Sequence, residues 1–113
     1  HRPLHVMKGG IMEEIKGNKF PVGGGLYKNQ TSFTTTKVVL KAGDGIYFSS
    51  DGFPDQFGGP DGRKLGSKKM RELVEELHPM PAVEAEQAFN HAWESWRGEH
   101  RQTDDVLLIG IKF

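Results

Sequence analysis

The spacing of apolar residues changes from a strand pattern to a helical pattern near residue 66, and back to a strand pattern near residue 105. Apolar side chains at positions i, i+3, i+4 and i+7 line one face of a helix, whereas short runs of branched apolar residues are typical of strands. A length of 113 residues is about that of one domain. The pattern therefore predicts a single α+β unit.

Short apolar runs separated by glycine predict a hairpin at the start of the chain. Residues 3–8 and 11–16 flank Gly9-Gly10, a pair that favours the two-residue turn of a β-hairpin. Further along, residues 45–50 predict a central strand that is buried on both faces. We expect Tyr47 or its neighbours, Ile46 and Phe48, to be in the core.

Two further strands complete the predicted sheet. The β-branched stretch 31–41 predicts a long strand, with Val38 or Val39 buried. The stretch from Asp105 to Phe113 predicts a closing core strand, with Leu107 and Ile109 buried. Residues 20–25 and 53–66 are predicted to be loops. The glycine clusters within them, Gly23 to Gly25 and Gly58-Gly59, lack the spacing of a phosphate-binding loop.

Two amphipathic helices are predicted between the central and closing strands. The first covers residues 67–77, with Ser67 as its N-cap and His78-Pro79 as its end. The second runs from about Pro81 to Trp96, and its apolar stripe includes Phe89. Because each helix has one apolar face, we expect both to pack on one face of an antiparallel sheet.

Composition excludes several classes of protein. The chain contains no cysteine, which rules out disulfides, thiol nucleophiles and zinc–thiolate sites and fits a reducing compartment, so we expect a cytoplasmic location. Basic and acidic residues both total 15, so no nucleic-acid partner is expected. The longest apolar run, Val106 to Ile109, is far shorter than the ~20 residues that span a bilayer, so we expect no membrane contact in this segment.

Two acidic motifs stand at predicted strand ends, where they could carry chemistry. Asp51 follows the central strand and precedes Gly52, which would let the backbone or an ion come close. Asp104-Asp105 stands directly before the closing strand, and paired carboxylates suit an oxygen-preferring cation such as Mg²⁺ or Mn²⁺. Each motif also has a structural interpretation, because Asp-Gly is a common turn and Asp-Asp a common solvated loop end.

The order of these motifs resembles the C-terminal part of PPM-type, metal-dependent serine/threonine phosphatase domains, in their SpoIIE-like bacterial branch. The resemblance covers essentially the whole chain, and His1-Arg2-Pro3-Leu4 looks like the family segment that follows a mid-domain strand. The other matching features are a Gly-Asp turn, a hydrophobic strand that ends in Ser50-Asp51-Gly52, an acidic residue at Asp55, Leu65-Gly66 before the helices, and Asp104-Asp105 before the last strand.

The resemblance implies both a fold and a chemistry. The fold is half of an α/β/β/α sandwich. The chemistry is hydrolysis of phosphoserine or phosphothreonine by a water that two Mn²⁺ or Mg²⁺ ions activate. By the same resemblance, Asp51 and Asp104 are metal ligands, and Gly52 keeps the site open. Asp55 would contact the metal ligands without binding the metal itself, while Asp105 would orient the neighbouring backbone or a water.

The chain departs from the family in length. The other metal-binding aspartates of the family belong to an N-terminal half that this sequence does not contain, so the chain resembles a fragment of a longer phosphatase domain. We therefore expect weak or absent metal binding, and no catalysis by the chain alone. In this family the domain often ends a signalling protein, follows a sensor domain and acts on a phosphoprotein.

Two expectations concern geometry and assembly. If the strands next to Asp51 and Asp104 are antiparallel neighbours, the two carboxylates lie at one end of the sheet, within ~8 Å of each other. Half a sandwich leaves apolar sheet surface and open strand edges exposed, so we expect a homodimer or a domain-swapped pair. The alternative to an enzyme is a non-catalytic, β-rich interaction module whose acidic loops only cap strands.

Overall fold

A computed structural model describes residues 2–22 and 32–113, which form the predicted α+β fold with an antiparallel sheet and two helices. Among the described residues, no helix is long and apolar enough to cross a membrane. The predicted loop at Gly23 to Gly25 lies outside the described residues. The elements in chain order are β1 (Leu4–Lys8), β2 (Ile11–Ile15), β3 (Gly45–Ser49), β4 (Phe57–Gly58), β5 (Arg63–Lys64), α1 (Gly66–Leu77), α2 (Ala82–Arg97) and β6 (Leu108–Lys112).

The main sheet has the strand order β2-β1-β3-β6, and all its pairs are antiparallel. The predicted hairpin is confirmed, with Lys8 opposite Ile11 across a two-residue turn. Gly9 and Gly10 have φ values of 57° and 78°. A turn of this kind needs positive φ at both central residues, which glycine adopts without a steric penalty.

The core lies between the sheet and the two helices. Tyr47 on β3 points towards the helices, where it contacts Phe89 on α2 and donates a 2.7 Å hydrogen bond to His78 after α1. The expected burial of Tyr47 and Phe89 is confirmed. Because side chains alternate along a strand, Phe48 points to the opposite face, where it is 38% exposed.

The two helices begin and end within one residue of the predicted positions, but the predicted N-cap of α1 is wrong. The helix begins at Gly66, so Ser67 is inside the first turn, and the N-cap residue Leu65 makes no side-chain cap bond. Instead, the backbone of the preceding loop fixes the entry into the helix. The Leu65 N–H donates to Gln56 O at 2.9 Å and the Gly66 N–H donates to Pro54 O at 2.8 Å.

The long strand predicted over residues 31–41 is wrong for the described part, 32–41, which forms no strand. A strand needs a neighbour to pair its backbone, and residues 32–41 pair with no strand of the described sheet β2-β1-β3-β6. Without that pairing the β-branched residues stay largely outside the core. Val38 is half-buried, and Val39 is 59% exposed.

Two smaller corrections concern the closing strand and the loop before α1. The closing strand begins at Leu108 rather than at Asp105, and Leu107, predicted to be buried, is 54% exposed. Ile109 is half-buried. The predicted loop over 53–66 contains a short ribbon, in which Phe57 pairs with Lys64.

Candidate metal site

The two acidic motifs lie at the same end of the sheet because β3 and β6 are antiparallel neighbours. The last pair of their ladder is Ser49 with Leu108, so the residues after β3 meet the residues before β6. One more backbone bond extends the contact, from the Ser50 N–H to Leu107 O at 2.9 Å. The backbones of the two acidic motifs therefore lie side by side, as expected.

The Ser50 hydroxyl joins the two motifs beyond the end of the ladder. It donates a 2.8 Å hydrogen bond to Asp105 O, and it accepts a 3.0 Å bond from the Leu107 N–H. The Leu107 N–H thus bonds to the side chain of Ser50 instead of to its backbone carbonyl, so the ladder ends here and β6 begins only at Leu108. Hydrogen bonds to Ser50, the residue directly before Asp51, therefore fix the backbone around Asp105.

Gly52 is buried against the backbone of Asp105. A Cβ atom at position 52 would lie 2.2 Å from Asp105 O and 2.9 Å from its carbonyl carbon, so no larger residue fits unless the backbone shifts. A close approach by the backbone or by an ion was expected at this glycine. The neighbour is the Asp105 carbonyl.

The Asp51 carboxylate is more than half exposed and faces the guanidinium of Arg2. Arg2 Nε lies 3.5 Å from Asp51 Oδ1, which is within ion-pair distance. The same nitrogen is buried and makes no hydrogen bond within the described part of the chain. Asp51 is therefore available to a ligand from the solvent side, with a cationic side chain on its other side.

Asp104 and Asp105 use different groups in their contacts. Asp104 Oδ1 accepts a 2.8 Å hydrogen bond from the Asp105 N–H, and Asp104 O accepts a 3.0 Å bond from the side-chain amide of Gln102. Asp105 contributes its main-chain carbonyl to Ser50. The carboxylate of Asp104 thus shapes its own loop, while both residues stay exposed.

Asp55 lies at the end of the turn that follows β3. Its N–H donates to Asp51 O at 2.9 Å, so residues 51–55 form one compact turn. Its carboxylate lies 3.4 Å from Lys64 Nζ on β5. The described contacts of Asp55 are with that turn and that lysine, and its supporting role remains a prediction.

The chemistry of this donor set fits a hard divalent cation in kind, though not in number. Exposed aspartate oxygens are the ligands that Mg²⁺ and Mn²⁺ prefer. Within residues 2–22 and 32–113, no group of three or more His, Cys, Asp or Glu side chains is close enough to hold a metal. The metal-ligand roles of Asp51 and Asp104 thus remain predictions, and no particular ion is assigned.

Two residues of this site were not identified from the sequence. Ser50 was recognised only as part of the Ser-Asp-Gly motif, although its position directly before Asp51 was a usable signal. Arg2 was recognised only as part of the segment from His1 to Leu4. Nothing in the spacing of the sequence predicts that a residue 49 positions from Asp51 reaches its carboxylate.

Comparison with known proteins gives a consistent result. The family described as Stage II sporulation protein E (SpoIIE) matches residues 1–113. Among solved structures, the SiaA-PP2C domain of Pseudomonas aeruginosa is similar, with a TM-score of 0.86 and 29% sequence identity. That match covers 99% of this chain and 43% of the other, so this chain spans less than half the length of the solved one. No curated protein matches. The chain belongs to the SpoIIE family, and its fold is that of part of a PP2C-type, or PPM-type, phosphatase domain.

Proposed function

We propose that this chain is the C-terminal portion of a PPM-type protein phosphatase domain that hydrolyses phosphoserine and phosphothreonine in a phosphoprotein. Membership of the SpoIIE family and the similarity to the SiaA-PP2C domain support this proposal. Asp51 and Asp104 would be ligands of Mn²⁺ or Mg²⁺ in that domain, and Gly52, Asp55 and Asp105 would hold the surrounding turns.

The observation that best supports the proposal is the close contact between the two acidic motifs. Ser50 binds Asp105 O and the Leu107 N–H through one hydroxyl, and Gly52 leaves room for the Asp105 carbonyl. These contacts hold the turn after β3 against the loop before β6. A shared metal needs ligands whose backbones are fixed relative to each other in this way.

The chemistry needs little from the protein beyond oxygen ligands and orientation. A divalent metal pair, when bound, would lower the pKa of a bound water and so supply the nucleophile for in-line attack on the phosphoester. The residues of this chain would provide two carboxylates to hold that pair, on turns that the Ser50 hydroxyl positions. No protein nucleophile is required, which is consistent with a sequence that contains no cysteine.

The complete domain would supply further metal ligands beyond the two carboxylates of this chain. Two carboxylates are fewer ligands than the ~6 oxygens that Mg²⁺ demands, so the remaining ligands would come from water and from the rest of the domain. Metal binding by the 113-residue chain is then weak, and the chain alone does not turn over a phosphoester. In the complete protein, we propose a cytoplasmic signalling role under an upstream sensor domain.

Mn²⁺ titration followed by calorimetry tests the metal assignment. The chain is expected to bind Mn²⁺ weakly, and Asp51→Asn is expected to reduce the affinity at least about tenfold, because it removes the charge of a ligand while keeping its shape. The matched control is Asp61→Asn, which neutralises an exposed aspartate in the turn between β4 and β5. This control is expected to leave the affinity unchanged.

Two outcomes would contradict this proposal. Equal Mn²⁺ affinity in the wild type and in Asp51→Asn, with both proteins folded by circular dichroism, would remove Asp51 from the site. Robust turnover of a phosphoester reporter by the 113-residue chain would show that the rest of the domain is not needed.

A second candidate function is that of an interaction module, and one surface favours it. A groove of about 740 Å³ lies between α2 and β6, and its mixed apolar and polar lining includes the exposed Val83 and Leu107. Among the described strands, β6 pairs only with β3, which leaves its other edge open. Self-association of the chain is the form of this function that we propose.

A further inference from the structure

Arg2 is the cationic side chain nearest to the proposed metal ligand Asp51 among the ion pairs of the described residues. Its Nε lies 3.5 Å from Asp51 Oδ1, and its Nη2 lies 3.9 Å from the Met70 sulfur on α1. The guanidinium is thus held between a carboxylate and a weak acceptor. Its side chain is three-quarters buried, whereas those of Lys64 and Lys69 are 53% exposed.

The hydrogen bonds of this guanidinium are incomplete. Arg2 Nε is a buried donor that makes no hydrogen bond in the described part of the chain. A buried donor without an acceptor is unfavourable, so this N–H is a ready partner for an anion that enters the site. Arginine offers several N–H groups in one plane, which match two oxygens of a phosphate at once.

The charge around the mouth of the site explains why such a partner is needed. Asp51, Asp104 and Asp105 are all exposed at this end of the sheet, and a phosphate dianion is repelled by carboxylates. A bound cation would neutralise part of this charge and would loosen the hold of Asp51 on Arg2. The guanidinium would then face the incoming phosphate rather than a bare carboxylate.

We propose that Arg2 binds the phosphate group of the substrate, exchanging its contact with Asp51 for phosphate oxygens when Asp51 binds a metal. This inference rests on the proposed phosphatase function and names one substrate-binding residue for it. It gives Arg2 two successive partners. In the metal-free protein it is the counter-ion of Asp51, and in the loaded protein it is a ligand of phosphate.

The test uses the complete protein that carries these residues and follows two binding reactions separately. Mn²⁺ affinity is measured by calorimetry, and binding of inorganic phosphate at saturating Mn²⁺ is measured by equilibrium dialysis. The variants are Arg2→Gln, which removes the charge, and Arg2→Lys, which keeps the charge but lacks the planar fork. The matched control is Arg71→Gln, since Arg71 forms an ion pair of the same 3.5 Å separation with Glu14 on β2.

We expect Arg2→Gln to weaken phosphate binding by about tenfold or more, the loss typical of one hydrogen bond to a charged group. Arg2→Lys should lose less, and Arg71→Gln should behave as the wild type. Mn²⁺ affinity should be unchanged or higher in Arg2→Gln, because the competing cation at Asp51 is gone. With a phosphoserine peptide, KM should rise more than kcat falls.

The outcomes separate this inference from the proposed function. Normal Mn²⁺ binding with wild-type phosphate affinity in Arg2→Gln overturns the role of Arg2 and leaves the phosphatase proposal standing. Loss of Mn²⁺ binding in Arg2→Gln shows instead that Arg2 positions Asp51, which also overturns the inference. Absence of Mn²⁺ binding by the wild-type protein overturns both.

Discussion

Gly52 occupies a position at which the backbone of one loop touches the backbone of another. An added methyl group would lie 2.2 Å from Asp105 O, a separation that real contacts do not reach. The carbonyl is main chain, so it cannot rotate away as a long side chain would. Any larger residue at position 52 must therefore push the Asp51 turn away from the loop that carries Asp104.

Gly52→Ala is expected to destabilise the protein by about 1–3 kcal/mol, the usual range when extra atoms are forced into a packed region. Mn²⁺ binding should weaken together with stability, because the two acidic turns move apart. Chemical denaturation measures the first effect and calorimetry the second. The control is Gly17→Ala, where a Cβ atom would meet nothing within 4 Å. If both variants have wild-type stability, the tight contact is not real.

At the scale of single residues, the sequence predicted which acidic residues lie near strand ends. Asp51 and Asp104 were visible because a change of period marks where β3 ends and where the closing strand approaches. Arg2 was not visible, because its contact with Asp51 depends on how the segment before β1 lies against β3. No local pattern carries that information.

At the scale of secondary structure, a group of ionisable side chains links β1, β2 and α1. His5 on β1 is 1% exposed, and its Nε2 lies 3.5 Å from Glu14 Oε1 on β2. Glu14 also pairs with Arg71 on α1. Burial lowers the pKa of His5 below its ordinary value, and Arg2 and Arg71 lower it further, while Glu14 opposes them. His5 is therefore neutral in the folded protein near neutral pH.

This lowered pKa predicts a pH-dependent stability. The unfolded chain protonates His5 at about its ordinary pKa of 6.5, before the folded protein does. The free energy of unfolding is thus highest above that pH, and it should fall as the pH drops from 6.5 through the lower pKa of the folded state. The proposed measurement is urea denaturation at about pH 7.5, 6.5 and 5.5, because histidine side chains titrate in this range.

His5→Gln is expected to flatten this dependence, since glutamine does not titrate. The matched control is His91→Gln, which removes an exposed histidine from α2 and should keep the wild-type slope. An equal loss of stability on acidification in the wild type and in His5→Gln would mean that other groups cause it.

Elements whose partners are local were predicted better than elements whose partners are distant. The β1–β2 hairpin and the helices were found because their pairing or their apolar face lies within a short window of sequence. The strand expected over 31–41 is wrong for the described part, 32–41, because β-branched residues indicate suitability for a sheet but do not ensure that a neighbouring strand pairs with them. The late start of β6 depends on the Ser50 hydroxyl, 57 residues away from Leu107.

At the scale of the whole molecule, the chain is flatter and more open than a closed domain of its length. Its radius of gyration is 15.8 Å, against about 13 Å for a compact domain of 113 residues. Its smallest extent is 19 Å, which suits one sheet and one layer of helices. The helices cover one face of the sheet, as expected for half of a four-layer sandwich.

The other face of the sheet exposes apolar side chains that a packing partner would bury. Phe48 on β3 and Ile111 on β6 alternate with the residues that face the helices, and they are 38% and 43% exposed. In the complete protein we propose that the rest of the domain packs here, because the solved relative is more than twice as long as the matched part. In the isolated chain a second copy is the available partner.

The isolated chain is therefore expected to self-associate through this face and the open edge of β6. Light scattering after size exclusion, over a range of concentrations, should give a mass of about twice 12.6 kDa. Ile111→Glu places a charge on the proposed contact and should shift the chain to the monomer. The control is Val22→Glu, which adds the same charge at a 91% exposed apolar position outside the sheet. A single 12.6 kDa species of the wild type at high concentration would contradict the prediction, because the apolar face would then be stable in water without a partner.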